Sequence, residues 1–197
     1  MRFLNNNNDR PFLKFRKLYT QACDVENFDI EAAVIASLNV ENNEVEARYV
    51  NIKILDEKKF IFFSNYNSPK AQQFKLHNQA ALVFYWPISN IQIRIKGEIE
   101  MIAAEYSDNF FMNRSLFKNA LAICSKQSQP IDSYKMMKEK YKDSLHNNNL
   151  SVRPEYWGGY SLTPYYFEFW EGHESRINKR KIFNKIDGSW KKSYLQP

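Results

Sequence analysis

Hydrophobic and polar positions near the N-terminus repeat with the period of a helix. Between Pro11 and Cys23 the apolar side chains fall three or four residues apart, at Phe12, Phe15, Leu18, Tyr19 and Ala22. This spacing places them on one face and predicts a helix from Pro11 to about Cys23. Four asparagines at positions 5–8 precede it. Residues 1–10 are therefore predicted to form a disordered or frayed end.

Beyond residue 31 the pattern changes to short apolar runs, which are typical of β-strands. The predicted strands cover 32–38, 45–55, 60–64, 80–86 and 91–102, with polar turns at 41–44 and 56–59. The last strand alternates, with Ile91, Ile93, Ile95, Ile99 and Met101 on one face and Gln92, Arg94, Lys96, Glu98 and Glu100 on the other. One face is thus predicted to lie in the core, and the other to meet solvent or a ligand.

Helical patterns interrupt these strands before the chain returns to strands at its C-terminal end. Helices are predicted over 68–78, with Ser68 as N-cap, and over 104–123 and 132–147. The dipeptide Asp187-Gly188 predicts a tight hairpin turn. An antiparallel meander with a few helices, no repeats and no linker predicts one mainly β (α+β) domain over residues 11–197. A closed or partly closed barrel is the architecture expected for such a chain.

Net charge and cysteine usage indicate the class of partner and the cellular compartment, but they do not identify a ligand. The formal net charge of +6 favours an anionic partner, which can be a phosphate, a nucleic acid or an acidic surface. Cys23 and Cys124 are far apart in sequence, as is typical of a protein from a reducing compartment, so a cytoplasmic location is expected. No apolar run is long enough to span a bilayer, and no membrane partner is expected. The three histidines have no metal-ligand spacing, so no metal is expected.

The most distinctive segment lies in the C-terminal third of the chain. It brings Trp157, the pair Gly158-Gly159, Trp170, Arg176 and Arg180 into one short run. A glycine pair allows a close backbone approach that side chains would block. A flat ring beside guanidinium groups suits a planar, anionic ligand. A buried tryptophan with solvated arginines is the alternative interpretation.

Any phosphate bound by this chain must be held mainly by side chains. The sequence has only five glycines and no glycine-rich phosphate loop. Arg48 and Lys53 flank a predicted strand, Ser64 ends another, and Lys70 lies in the first turn of the following helix, where an anion is favoured. A solvated barrel exterior is the alternative for each of these residues taken alone.

Several separated motifs resemble the pyridoxamine 5'-phosphate oxidase family. They are ARYVNIK, FFSNYNSPKAQQF, ALVFYW, SKQSQ and WGGYSLTPYYFEFWEGHESRINKR, in the family's order from about Asp9 to Pro197. The resemblance implies an FMN-binding split β-barrel that works as a homodimer with FMN between the subunits. It also implies oxidation of pyridoxamine or pyridoxine 5'-phosphate to pyridoxal 5'-phosphate, with O2 as acceptor and H2O2 as product.

The resemblance also assigns cofactor residues. The positions that match the family's FMN contacts are Arg48, Tyr49, Val50, Asn51, Ile52, Lys53, Phe63, Ser64, Pro69, Lys70, Gln92, Gln127, Ser128, Trp170 and Arg180. Phe63-Ser64 stands in place of a Tyr-Thr pair, and Pro69 in place of an arginine. Arg48 and Lys53 have opposite strand parity, so both reach one ligand only across a bulge or from strand ends.

The implied substrate site departs from the family at three positions. Its matching residues are Lys53, Phe110, Arg114, Lys118, Arg176 and Asn178, with Arg176 and Asn178 on the reacting side of the ring. Phe110 replaces a tyrosine, Lys118 a serine and Asn178 a histidine. The substitutions keep two alternatives open: an FMN-dependent oxidoreductase with a different substrate, and a non-catalytic flavin- or pyridoxal-phosphate-binding protein. Nucleic-acid binding is not expected, because the basic C-terminal run carries no recognisable motif.

Overall fold

One ten-stranded sheet organises the part of the chain that the structure, a computed structural model, describes: residues 1–26 and 30–197. The strands are β1 (Arg2–Leu4), β2 (Ala32–Asn39), β3 (Glu44–Asn51), β4 (Ile54–Asp56), β5 (Lys59–Asn65), β6 (Gln79–Trp86), β7 (Ile91–Met101), β8 (Trp157–Glu171), β9 (Lys179–Ile186) and β10 (Ser189–Leu195). The helices are α1 (Arg10–Glu26), α2 (Pro69–Leu76), α3 (Ala104–Met112), α4 (Leu116–Cys124) and α5 (Tyr134–Asn147).

The strand order is β1-β4-β5-β8-β7-β6-β2-β3, with β9 on β8 and β10 on β9. All of these pairings are antiparallel except that of β1 with β4. This arrangement confirms the predicted mainly β, antiparallel fold with helices. The 15-residue β8 pairs with β5 through its first half and with β9 through its second half.

Helix α1 supplies the aromatic centre of the core. Phe12 and Phe15 are buried, and the ring centroid of Phe15 lies 4.9 Å from that of Phe60 on β5. Phe12 contacts Phe167 of β8 at 5.2 Å in an edge-to-face arrangement. These contacts confirm the helix predicted from the apolar spacing, since its apolar face covers the sheet.

The frayed N-terminus predicted from the sequence is wrong for residues 2–4, which form a strand. Residues 2–4 form a parallel strand, in which the Arg2 amide donates to the Lys53 carbonyl at 2.8 Å. The Glu57 amide donates to the Leu4 carbonyl at 3.0 Å. Polar composition alone could not reveal this pairing, because the order comes from backbone hydrogen bonds to β4.

The strand predicted over 45–55 is two strands with different partners. The Ile52 amide donates to the Glu31 carbonyl beside β2, whereas the Lys53 amide donates to Ile61 on β5, each at 2.8 Å. The chain therefore leaves one neighbour for another between β3 and β4. Arg48 and Lys53 therefore do not share one regular strand. The parity rule that would place their side chains on opposite faces does not apply to them.

The helix predicted over 104–123 is likewise divided, into α3 and α4. The buried side-chain amide of Asn119 donates to the Phe111 carbonyl at 2.8 Å and to the Leu150 carbonyl at 2.9 Å. A carbonyl at the end of α3 is thereby satisfied without another helical turn. The division places Arg114 in the connection between the two helices.

Strand β7 follows the predicted alternation except at its end and at one irregularity. Ile93, Ile95 and Ile99 are buried, but Met101 is exposed where the strand ends. The register shifts at Lys96/Gly97, where Tyr165 of β8 is an extra residue without a partner on β7. A Cβ at Gly97 would lie 2.5 Å from the Thr163 carbonyl oxygen, so the close approach requires glycine.

The predicted hairpin at Asp187-Gly188 is confirmed. Both residues have positive φ angles, of 49° and 77°, which suit the tight turn between β9 and β10.

Candidate functional site

A cavity of about 270 Å³ lies where β3, β5, α2 and the connection between α3 and α4 meet. We call it the basic pocket, and its lining is Tyr49, Val50, Asn51, Lys53, Phe63, Ser64, Lys70, Phe110, Arg114, Gln127 and Trp157. All of these except Trp157 are residues that the family resemblance assigned to cofactor or substrate. The fold thus gathers in one place predicted residues that are up to 78 positions apart.

The glycine pair of β8 allows one wall of this pocket to form. Gly158 pairs with Ser64 and Gly159 with Phe63 at the end of β5. A Cβ at Gly158 would overlap the hydroxyl of Tyr66, and one at Gly159 would overlap the side chain of Ile102. The predicted close approach is therefore present, and it sets the position of the last residues of β5.

Lys70 is a buried cation in the pocket wall. It is 6% exposed, and its Nζ lies 3.2 Å from Ser64 Oγ and 3.3 Å from Ser68 Oγ. Within residues 1–26 and 30–197, no carboxylate lies within ion-pair distance of Lys70. Burial, together with the nearby Arg48 guanidinium, lowers the pKa of Lys70 to about 8. A bound anion would supply the missing counter-charge.

Arg114 brings a second cation to the pocket without a carboxylate in the described ranges. Its guanidinium donates to the Lys118 carbonyl at 3.0 Å and to Asn119 Oδ1 at 3.2 Å. It also lies 5.0 Å from the ring centre of Trp157. Burial lowers the pKa of Arg114, which nevertheless stays charged at physiological pH. Lys53 differs, because its ammonium group is paired with Glu31.

Aromatic rings form the apolar wall beside these cations. The Phe63 and Phe110 rings stack with centroids 3.7 Å apart, and Phe63 also stacks on Trp157 at 5.3 Å. The two phenylalanines leave this wall without the hydroxyls that the family pattern has there. The family resemblance did not assign Trp157 to the site, although the sequence analysis singled it out beside the glycine pair.

Gln127 of the lining is held to the end of β5, and two further predicted residues, Ser128 and Lys118, lie beside the pocket. Gln127 Oε1 accepts from the Asn65 amide at 3.2 Å, which attaches its loop to the end of β5. Ser128 follows with a positive φ of 66°. Lys118 lines an adjoining cavity of about 280 Å³, which shares Arg114 and Trp157 with the basic pocket.

Arg48, Ile52 and Pro69 do not line the basic pocket. Arg48 donates to Ser37 Oγ at 2.6 Å and to the Glu46 carboxylate at 2.7 Å. Ile52 is fully buried in the core, and Pro69 begins α2.

The remaining predicted residues lie on the other half of β8. Gln92 of β7 pairs with Trp170 of β8, which pairs with Arg180 of β9. We call these three residues the C-terminal row. Directly opposite residues share one face of a sheet, so their side chains can act together.

Arg176 and Asn178 lie in the loop between β8 and β9. Arg176 is exposed and has a positive φ of 60°. Asn178 Oδ1 accepts from the His173 amide at 3.0 Å, and the Arg176 amide donates to the His173 carbonyl at 2.9 Å. Asn178 thus helps to close the loop that presents Arg176.

Within one chain, the basic pocket and the C-terminal row lie far apart. Trp157 and Trp170 lie near opposite ends of β8. A strand rises about 3.3 Å per residue, so the segment between them extends over roughly 40 Å. The basic pocket and the C-terminal row of one chain therefore do not surround the same small ligand.

Comparison with known proteins gives this arrangement a family. A model described as pyridoxamine 5'-phosphate oxidase matches residues 25–145, which is more than half of the chain. The chain belongs to the pyridoxamine 5'-phosphate oxidase family. A second model, the pyridoxine 5'-phosphate oxidase C-terminal dimerisation region, matches residues 157–197. The family confirms the resemblance found in the sequence, and with it an FMN-dependent oxidoreductase of this type.

Curated relatives agree along nearly the whole chain. A pyridoxine/pyridoxamine 5'-phosphate oxidase from Synechocystis sp. is 34% identical over 191 residues, covering 96% of this chain and 89% of the relative. One from Nostoc sp. is 35% identical over 190 residues, covering 95% of this chain and 88% of the relative.

Solved structures confirm the split-barrel fold. PhzG from Burkholderia lata 383, in complex with tetrahydrophenazine-1-carboxylic acid, has a TM-score of 0.86 at 22% identity, covering 94% of this chain and 92% of its own. A pyridoxamine 5'-phosphate oxidase-related, FMN binding protein from Nostoc punctiforme has a TM-score of 0.77 at 14% identity, covering 93% and 97%.

The described ranges lack a metal cluster and a membrane-spanning helix. Residues 1–26 and 30–197 contain no cluster of three or more His, Cys, Asp or Glu side chains that could hold a metal ion. None of the helices within these ranges has the length and apolar character needed to cross a bilayer.

Proposed function

We propose that this protein oxidises pyridoxamine or pyridoxine 5'-phosphate to pyridoxal 5'-phosphate, with FMN as cofactor, O2 as acceptor and H2O2 as second product. The observation that carries the proposal is the convergence of Lys53, Lys70 and Arg114 on one pocket walled by aromatic rings. Cationic donors hold phosphate, and flat aromatic faces suit a planar ring. Relatives 34–35% identical to this chain are named for the same activity.

The donors around Lys70 fit the FMN phosphate. Lys70 is buried without a carboxylate partner in the described ranges, and Ser64 Oγ lies 3.2 Å from its Nζ. An anionic phosphate would provide the counter-charge that this cation lacks. We assign Lys70, Ser64 and Gln127 to this end of the cofactor, and the segment from Tyr49 to Lys53 to its ring system. FMN supplies the acceptor for the two electrons that the substrate loses.

A second copy of the chain would complete the cofactor site. The basic pocket holds one half of the predicted FMN residues, and the C-terminal row, Gln92, Trp170 and Arg180, lies at the far end of β8. The region containing most of that row matches a dimerisation region. We therefore propose a homodimer in which the row of one subunit faces the basic pocket of its partner.

The substrate phosphate is assigned to Lys53, Arg114 and Lys118. Arg114 is already oriented by its bonds to Lys118 O and Asn119 Oδ1. Lys53 is paired with Glu31, so substrate binding would exchange that carboxylate for a phosphate oxygen. Phe110 offers no hydroxyl, and Lys118 offsets this loss with an additional charge.

The reacting side of the substrate is assigned to Arg176 and Asn178. The β8–β9 loop presents Arg176 at the surface, with its backbone fixed by the His173 carbonyl. Asn178 cannot become a cation as a histidine can. The protein's role here is to bind and orient the substrate, and no side chain is required as an obligate acid or base.

The deciding experiment is aerobic turnover of purified, FMN-loaded protein with each of the two phosphorylated substrates, followed by the appearance of pyridoxal 5'-phosphate. The proposal expects robust product from at least one of them. Bound flavin without product would overturn the substrate assignment and leave the family and cofactor in place. Pyridoxamine without its phosphate is the matched control, because it lacks the group that Arg114 binds.

A different substrate is the competing proposal within the same enzyme class. The stack of Phe63 on Phe110 favours it, because two hydroxyls of the family pattern are replaced by an apolar surface. Asn178→His is the discriminating variant. A large gain in pyridoxamine phosphate oxidation would show that the native loop serves another ring. A tightly held ligand without turnover would instead favour a binding protein.

We also propose a cytoplasmic location. Cys23 and Cys124 are both free thiols, which suits a reducing compartment. Fractionation of cells that express the chain at its natural level would test this.

A further inference from the structure

Glu168 is a buried carboxylate with no role in the proposed reaction. It lies on β8, two residues before Trp170, and is 2% exposed. Burying a carboxylate is costly unless cations and hydrogen bonds compensate for the lost water. Its partners therefore indicate what this side chain does.

Both oxygens of Glu168 are held by donors from three strands. Oε1 accepts from Arg180 Nε at 2.8 Å and lies 2.7 Å from Arg180 NH2. Oε2 accepts from Arg94 NH1 at 2.9 Å and from the Tyr166 hydroxyl at 3.0 Å. The carboxylate thus connects β7, β8 and β9 at one point.

This point adjoins the C-terminal row on the same face of the sheet. Arg94 pairs with Glu168, and Gln92 pairs with Trp170, at successive same-face positions. Arg180 pairs with Trp170 and reaches back to Glu168. The carboxylate therefore holds the long Arg180 side chain on the face of the sheet that also carries Trp170.

The contacts leave part of the Arg180 guanidinium available. Of its five N–H groups, one on Nε and one on NH2 are directed to Glu168, and one on NH1 donates to the Gln196 carbonyl at 3.0 Å. Two N–H groups have no partner among residues 1–26 and 30–197, and the side chain is 26% exposed. An arginine held in this way loses less conformational freedom when it binds a ligand.

We propose that Glu168 is a positioning residue for the cofactor: it fixes the Arg180 guanidinium in the orientation that binds FMN. This inference rests on the proposed assignment of Arg180 to FMN. Orientation and charge predict opposite results here. Glu168 partly neutralises Arg180, so a purely electrostatic role would make its removal strengthen the binding of anionic FMN. A positioning role makes its removal weaken that binding.

The test measures the dissociation constant of FMN from quenching of flavin fluorescence on titration with apoprotein. Glu168→Gln keeps the shape and removes the charge, and it should weaken FMN binding about tenfold, as expected when a hydrogen bond between charged groups is lost. Arg180→Ala should weaken binding at least as much. Adding Glu168→Gln to Arg180→Ala should then have little further effect, because both changes remove one interaction.

Glu171→Gln is the matched control. It removes the same charge three residues further along β8, where Glu171 pairs with Lys14 and Lys179 rather than with Arg180. It should leave FMN binding unchanged. If Glu168→Gln does not fold, Glu168→Asp provides the same comparison, since its shorter side chain keeps the charge but withdraws the carboxylate from Arg180.

The outcomes separate this inference from the proposed function. Unchanged or tighter FMN binding in folded Glu168→Gln overturns the positioning role, as does an equal loss with and without Arg180. If Arg180→Ala binds FMN as tightly as the wild type does, the assignment of Arg180 to FMN is overturned instead. A melting temperature lowered without a change in affinity means that Glu168 is structural only.

Discussion

The basic pocket and the C-terminal row are built in different ways. The pocket gathers side chains from β3, β5, α2, α3 and the connection between α3 and α4 around Lys70, a buried cation without a carboxylate partner in the described ranges. The row lies along three neighbouring strands, and its arginine is already paired with Glu168. The pocket is therefore prepared to receive an anion, whereas the row is prepared to present a ring and an oriented guanidinium. In the proposed homodimer, each is one half of the site.

Mixing two impaired variants tests most directly whether the pocket of one subunit meets the row of its partner. Arg114→Ala damages the pocket and Arg180→Ala damages the row, so each homodimer should lose most of its activity when it is assayed without added FMN and with substrate far below its KM. Random reassociation after mild denaturation makes half of the dimers mixed, and one of the two sites in each is intact, so activity should return to about a quarter of wild type.

Each variant refolded alone is the control for that experiment. No recovery in dimers shown to have exchanged subunits would mean that pocket and row do not meet across an interface. It would contradict the two-chain site while leaving the pocket itself unaffected.

Within the pocket, Arg114 should have the largest single effect on substrate. Arg114→Ala removes a charged donor and is expected to raise the KM for the substrate about 50-fold, since such hydrogen bonds contribute about 1.5–3 kcal/mol. FMN should remain bound, as seen in the flavin absorption spectrum. Lys75→Ala in the last turn of α2 is the control cation. An unchanged KM would remove Arg114 from the substrate site.

Lys70 should make the pocket sensitive to pH in a way that the row is not. Its pKa is lowered from 10.5 to about 8, so the ammonium is lost as the pH rises through 8. FMN affinity should fall about tenfold between pH 8 and pH 9.5, because only the charged form pairs with phosphate. Lys70→Met should abolish this dependence, and titration of FMN at several pH values measures it.

The same shift predicts the sign of a stability change in the apoprotein. Between pH 8 and 10.5 the unfolded chain binds more protons at Lys70 than the folded chain does, so the free energy of unfolding should rise with pH across that window. Denaturant unfolding of wild type against Lys70→Met isolates this contribution. A fall with pH that is specific to Lys70 would contradict the buried, unpaired cation.

The smallest expected effect comes from restoring a hydroxyl to the pocket wall. Phe110→Tyr returns the residue that the family pattern has, and one neutral hydrogen bond contributes about 0.5–1.5 kcal/mol. The KM for a phosphorylated substrate should therefore fall two- to tenfold, with kcat little changed. A rise in KM would indicate that the Phe63–Phe110 stack is needed intact. Steady-state kinetics distinguish the two results.

The sequence predicted those parts of the molecule that depend on local pattern. Helix α1, the alternation of β7 and the Asp187-Gly188 turn all follow from spacing and turn chemistry. It could not predict the strand at residues 2–4 or the change of partner at Lys53, because both depend on backbone bonds to distant residues. Of the site, the family resemblance assigned every lining residue of the basic pocket except Trp157. Only the structure shows that Arg48 donates to the Glu46 carboxylate and that Asn178 accepts from the His173 amide.

The extra residue in β8 determines the phase of the strand. Before Tyr165, even-numbered side chains such as Tyr160 and Leu162 join the core; after it, odd-numbered Phe167 and Phe169 do so. Side chains alternate with a period of two, so one inserted residue exchanges the two faces. A continuous alternation would turn Glu168 and Trp170 inward and bring two phenylalanines to the surface. One residue more or fewer in β8 would therefore remove Glu168 and Trp170 from the face that carries the C-terminal row.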